Sequence, residues 1–232
     1  KNKMTLEQII TIVIVALIVV FAWAIFKKVF KLLFYVGIII FLLIAANTYF
    51  IYEDVMDLKE NFAILEKKVL LVDDKEVVAG LLLNEETNFL TNEQLEDYSS
   101  YLRNEDYEKI LGDSYKLMIF DLDIILNLDE IEIWDEIVTN DYVISALKSD
   151  VDSMEKASLF GVVLANNILS SKNPLFFFSE FKKGNIMVYP ETALFKTVKI
   201  IPLPFIKDIG KKILYKTKEK VESFVVYESE NI

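Results

Sequence analysis

The chain has 232 residues, with 25 Lys and Arg against 36 Asp and Glu for a net charge of −11, 53% hydrophobic residues, and neither His nor Cys. That composition removes thiol nucleophiles, Ser-His triads, imidazole acid/base catalysis and ordinary zinc, haem or iron-sulfur sites. Carboxylate, Lys and Tyr chemistry and oxygen-ligand cations such as Mg²⁺ or Ca²⁺ remain open. The glycines stand isolated along the chain, which excludes a P-loop or a Rossmann turn.

Two apolar runs open the chain, Ile9 to Phe26 and Leu32 to Tyr52, separated only by Lys27, Lys28, Val29, Phe30 and Lys31. Each is long enough to cross a hydrocarbon layer of about 30 Å. Trp23 and Phe26 beside the lysines, and Tyr49 and Tyr52 beside Glu53, fit interfacial belts. Three arrangements compete: a two-span hairpin, a signal peptide cleaved near Ala22-Trp23-Ala24, and one tilted span with an interfacial partner. The hairpin is preferred, giving a multi-pass cell-membrane protein with a membrane anchor over 1–52. Lysines near the span ends divide three against three, so the side of the soluble part stays undecided, with a lean to the extracytoplasmic side.

Charge then segregates. Residues 53–155 hold 28 acidic against 8 basic side chains, and residues 172–220 hold 4 acidic against 11 basic. An acidic part of this kind argues against a nucleic-acid partner, and the basic part argues for an anionic neighbour.

Glu53 to Phe62 reads as a helical stalk. Lys68–Val72 and Val77–Leu83 flank Asp73-Asp74-Lys75-Glu76 and predict a β-hairpin without the usual Gly. Thr91-Asn92-Glu93-Gln94 is a capping box, so a helix starts there, pauses at Asn104 and ends at Gly112 in a left-handed conformation. Tyr115 to Leu126 predicts a strand long enough for the centre of a sheet. Ile131 to Trp134 alternates like a strand, with a helix from about Thr139. Ser153 to Ser170 predicts a half-buried helix capped by Ser153. Asn173-Pro174 opens a short aromatic helix from Leu175 to Lys183, stopped by Gly184. Ile186 to Tyr189 is a brief strand, a helix starts at Pro190, and a last one spans Phe205 to about Phe224. In that last helix Lys207, Lys211, Lys212 and Lys216 lie beside an apolar stripe, as in helices that rest on an anionic bilayer.

The expected fold is therefore α+β: an N-terminal transmembrane helical hairpin, one compact acidic α+β domain over 53–172, and a basic helical extension over 173–232 packing on it.

Phe120-Asp121-Leu122-Asp123, at the end of the strand expected from Tyr115, resembles the first motif of the haloacid-dehalogenase-like phosphatases. The resemblance implies Asp121 as nucleophile and Asp123 as acid/base beside Mg²⁺. Those phosphatases usually continue with a small turn such as Gly-Thr-Leu, whereas Ile124-Ile125-Leu126 follows here and reads as more strand. Asp-x-Asp also serves nucleotide-sugar transferases as a metal motif. The competing reading makes the two aspartates an outward-facing pair on an alternating strand. Glu85-Glu86 and the carboxylates from Asp129 to Glu136 do not match an EF-hand loop, so no metal is assigned. Phe176, Phe177, Phe178 and Phe181 read as core before they read as a membrane-dipping patch.

The sequence thus points to a membrane-anchored, non-enzymatic scaffold or recruitment protein, with the lipid bilayer and another protein as partners and no cofactor. The alternative is a Mg²⁺-dependent phosphatase or transferase using Asp121 and Asp123.

Overall fold

The computed structural model describes residues 6–62, 64–84, 87–128, 130–134, 136–169 and 175–204. Two compact units divide the chain, Lys1–Phe50 and Ile51–Ile232.

Helix α1 runs without interruption from Leu6 to Asn61. The expected break at 27–31 is absent, and with it the helical hairpin. None of Lys27, Lys28, Val29, Phe30 and Lys31 is Gly or Pro, and Lys is a good helix former, so the i to i−4 ladder continues through them. The stretch Val13–Asn61 is long and apolar enough to cross a membrane by length and composition. Apolar side chains project on every side, Leu17, Phe21, Trp23, Leu33 and Phe41 among them, as a helix in an apolar solvent requires. The Thr11 and Thr48 hydroxyls donate to the carbonyls of Glu7 and Ile44 at 2.9 and 2.8 Å, so these polar groups are satisfied within the helix itself.

The second unit is built on a five-stranded sheet in the order β3-β2-β1-β4-β7. Strands β1 (Lys67–Asp73) and β2 (Glu76–Leu83) form the expected hairpin. Asp74 and Lys75 both take positive φ, 44° and 69°, which makes the two-residue turn whose twist suits a hairpin even without Gly. A short β3 (Thr87–Phe89) pairs with β2. Helix α2 (Asn92–Arg103) starts with the expected capping box, the Thr91 hydroxyl accepting from the Gln94 amide. Helix α3 (Tyr107–Leu111) follows and ends at Gly112, whose φ is positive as expected but whose ψ of −130° lies outside the left-handed helical region. Only Gly adopts that backbone readily.

Strand β4 (Lys116–Asp121) lies parallel to β1. It is shorter than the expected strand: a 3-10 helix takes over at Leu122–Asn127. The Asp121 side chain accepts from the Asp123 amide at 2.9 Å and so turns the chain out of the sheet. Leu122, Ile124 and Ile125 still reach the core. A short apolar run looks the same in either conformation, which is why periodicity read it as strand.

A small hairpin, β5 (Ile131–Ile133) with β6 (Glu136–Val138), leads into α4 (Asn140–Lys148), capped by Thr139. Helix α5 (Ser153–Val163) is capped by Asp152, one residue before the expected cap, and continues as a π-helical turn over Leu164–Ile168. That wider turn carries Asn167, which accepts from the Glu132 amide at 2.9 Å and donates to the Glu132 carbonyl at 3.2 Å, clamping β5. Helix α6 (Phe176–Lys183) ends on left-handed Gly184. Its Phe177, Phe178 and Phe181 are buried, as the core reading expects.

Strand β7 (Ile186–Tyr189), expected in an appended extension, is the antiparallel edge partner of β4 within the main sheet. The packing therefore continues past the boundary drawn at 172. Helix α7 (Ala193–Ile200) follows, with Thr192 at its cap position. The expected helix from Phe205 to Phe224 lies outside the described residues.

Helices cover both faces of the sheet. One face packs Leu70, Val72, Val77 and Leu117 against Leu95, Leu102 and Ile110 of α2 and α3. The other packs Val69, Leu71, Leu81, Met118 and Phe120 against α5, α6, α7 and the end of α1, through Leu58 and Phe62. Buried on both sides, β1 reads as an unbroken aliphatic run.

Candidate functional site

The parallel register of β1 and β4 sets Lys67 directly beside Lys116 at the amino ends of the strands. Both side chains point to the face that buries Leu58 and Phe62, by alternation from Met118 and Phe120. Lys67 is 1% exposed. Its ammonium donates to the carbonyls of Phe62 and Leu65 at 2.6 and 2.7 Å and stands over the Phe62 ring. It thereby caps the carbonyl end of α1, where the helix dipole favours a cation.

Lys116 is 3% exposed. Its ammonium lies 5.0 Å from the centroid of the Tyr115 ring and has no hydrogen-bond acceptor among the described residues. Burial holds its pKa below the ordinary lysine value, while Asp57 and then Asp54 draw it part of the way back.

Those two aspartates come from the last turns of α1. The Asp54 carboxylate accepts from the Leu194 amide at 2.8 Å, at the start of α7. The Asp57 carboxylate accepts from the Tyr115 hydroxyl and, at 2.7 Å, from the Asn61 side-chain amide. Burial raises the Tyr115 pKa, and the hydrogen bond to Asp57 and the charges of Asp57 and Asp54 raise it further. Next to them the Ser114 hydroxyl donates to Glu66 at 2.6 Å. The arrangement binds the end of α1 to both a strand and a helix through charge-assisted bonds, which are the stronger kind. Sequence reading missed it. The available signal was Lys67, Lys68 and Lys116 sitting at the mouths of otherwise apolar strands, opposite carboxylates spaced one helical turn apart on α1.

At the other end of the same strands stand Asp73, the last residue of β1, and Asp121, the last residue of β4, which lies opposite Val72 in the register. Asp73 pairs with Lys148 at 2.6 Å. Asp121 and Asp123 are both exposed, and Asp121 is spent as the cap of the 3-10 helix. No group of three or more carboxylates able to hold a metal ion forms among the described residues. The buried carboxylate nearby is Glu180, 1% exposed, which accepts from Asn127 at 3.0 Å, Asn185 at 2.6 Å and Lys183 at 2.6 Å. With all its partners supplied by the chain, it ties α6 to the 3-10 helix.

An open groove of about 840 Å³ lies where the β1–β2 turn meets α2 and the α4–α5 connection. Asp74, Glu76, Glu96 and Asp150 line it opposite Lys148 and Lys156. Of its two buried serines, Ser99 and Ser153, Ser99 accepts from the Val77 amide at 2.8 Å and donates to the Leu95 carbonyl at 2.7 Å.

Lys207, Lys211, Lys212 and Lys216 lie outside the described residues. Comparison with protein families, curated proteins and solved structures finds no match to this chain.

Proposed function

We propose that the protein is a membrane-anchored, non-enzymatic scaffold that holds its acidic α+β domain at a bilayer and recruits another protein there. The observation that carries this reading is the grip on residues 51–61. The last turns of α1 supply Asp54, Asp57 and Leu58, Phe62 follows directly after them, and the domain buries or hydrogen-bonds each of these four. Tethering needs such a joint, whereas catalysis by Asp121 and Asp123 needs a cleft and a third ligand or acid, which their exposed positions do not favour. Lys207, Lys211, Lys212 and Lys216 enter the proposal as contacts to anionic headgroups, on their sequence pattern alone.

The helix is about 84 Å long at 1.5 Å per residue over its 56 residues, against about 30 Å of hydrocarbon. A two-span arrangement in one bilayer would thus require a break at 27–31. Labelling of Lys27, Lys28 and Lys31 by a membrane-impermeant amine reagent in sealed vesicles tests this, since a hairpin leaves them at one aqueous surface.

The full chain is expected to stay in the membrane pellet through high-salt and alkaline carbonate washes and to show no Mg²⁺-dependent hydrolysis of phosphate monoesters. Release by carbonate overturns the anchor. Hydrolysis that disappears in Asp121→Asn replaces the scaffold by the phosphatase reading.

A further inference from the structure

We infer that Leu126, Trp134, Ile137 and Tyr142 form a docking face for a lysine- or arginine-rich amphipathic segment of a partner protein. This rests on the recruitment reading and names the chemistry of the recruit. All four side chains are more than half exposed, although the same domain buries Phe177, Phe178 and Phe181 completely enough to show that its core has room for aromatics.

The local backbone fixes this exposure. In the β5–β6 hairpin Ile131 and Ile133 point inward and are buried, so by alternation the cross-strand pair Glu132 and Ile137 turns outward. Trp134 sits on the hairpin turn with φ of 46°, a backbone that bulky residues rarely take. The Asn140 amide donates to the carbonyls of Leu126 and Leu128 at 3.4 and 3.2 Å, which draws the end of the 3-10 helix to the first turn of α4 and so to Tyr142.

Charge selects the occupant. From 121 to 141 every charged residue is acidic. An anionic bilayer is repelled by such a face, and a second copy of the chain would set acid against acid across a twofold contact. Exposed Trp, Tyr, Leu and Ile side chains interspersed along the chain with exposed acids only, Asp121, Asp123, Glu130, Glu136 and Asp141, are complementary to a basic amphipathic segment, with the aromatics as the anchoring residues.

The experiment uses the full chain in nanodiscs of neutral lipid, with Trp23→Phe so that Trp134 alone reports. The probe is a synthetic amphipathic helix of Leu and Lys, with its Leu and Glu counterpart as control. The Lys peptide is expected to blue-shift Trp134 emission and bind with an affinity that falls with salt. Ile137→Ser is expected to weaken it about tenfold, the loss typical of an interface anchor, and Leu126→Ser to act in the same direction. Ile137 and Leu126 are exposed, so both variants should keep the parental unfolding midpoint. Equal binding of the Glu peptide, or binding unchanged in both variants, overturns the inference. Binding seen only in a chain ending at Pro204 also overturns it, by making residues 205–232 the occupant. Failure here with the chain still held through carbonate washing and without phosphatase turnover leaves the scaffold reading standing.

Discussion

The two ends of the β1–β4 strand pair treat charge in opposite ways. At the amino ends, Lys67 and Lys116 are buried side by side under the last turns of α1, met by backbone carbonyls, a tyrosine and two carboxylates. At the carboxyl ends, Asp121 and Asp123 stand in solvent and their neighbours across the domain expose apolar groups. Burying charge is costly and is sustained only where partners are held in place, so the first end has the marks of a joint. The second leaves both charge and apolar surface available, as a contact surface does.

The largest effect is expected from Glu180→Ala, the one place at the carboxyl end that behaves like the amino end. Removing a buried carboxylate strands the amides of Asn127 and Asn185, and the loss should be about 3 kcal/mol in denaturant unfolding of the detergent-solubilised chain. A loss under about 0.5 kcal/mol, the range of ordinary surface changes, would mean that the two ends do not differ in the way described.

Tyr115→Phe removes the hydrogen bond to Asp57 at the joint and should cost about 2 kcal/mol, the range for bonds to charged groups. Amide hydrogen exchange should rise locally over residues 54–62. Exchange that rises uniformly across the sheet instead would place the bond in the general stability of the domain.

Lys116→Met should stabilise, by about 1 kcal/mol at neutral pH, because it replaces a buried cation by an apolar chain of similar length. The sign follows from its lowered pKa. Below that folded value the wild type carries the full cost of the buried charge. As pH rises from there towards the ordinary 10.5, the folded lysine loses its proton before the unfolded one and stability recovers. The advantage of Met therefore shrinks with rising pH. Tyr115 works the other way above its ordinary value of 10.0, since the unfolded tyrosine ionises first. The unfolding series should accordingly stay below pH 10, and an advantage of Met that grows with pH contradicts the assignment.

The smallest effect is expected from Asp121→Asn with Asp123→Asn, within about 0.5 kcal/mol. Both positions are exposed, and an Asn at 121 still presents an oxygen to the Asp123 amide. A drop above 1 kcal/mol, read by the same unfolding, would show that the carboxylates are held by something at this end.

Much of this architecture is written locally. The Thr91 capping box, the Gly184 stop, the hairpin around Asp74 and Lys75 and the strand Ile186–Tyr189 each depend on side chains within a few residues of one another, and each is legible in the sequence. So is the apolar stretch before Tyr52, whose length and composition are those of a helix able to cross a membrane. The absence of His and Cys excludes whole chemistries at once.

Other features needed contacts that the sequence does not display. The motif around Asp121 could be a phosphatase strand or a solvated pair by pattern, and only the side-chain cap that ends β4 after Asp121 distinguished a turn from more strand. Asp57 and Tyr115, or Lys67 and Lys116, lie far apart in the chain and meet because β1 and β4 pair in parallel, a register set by burial on both faces. The outward Ile137 follows from which face of a three-residue strand is covered. Local chemistry decides caps and turns because its partners are neighbours. Which charges are buried and which apolar groups are left outside is decided only when distant segments close the core, since burial belongs to the packed whole.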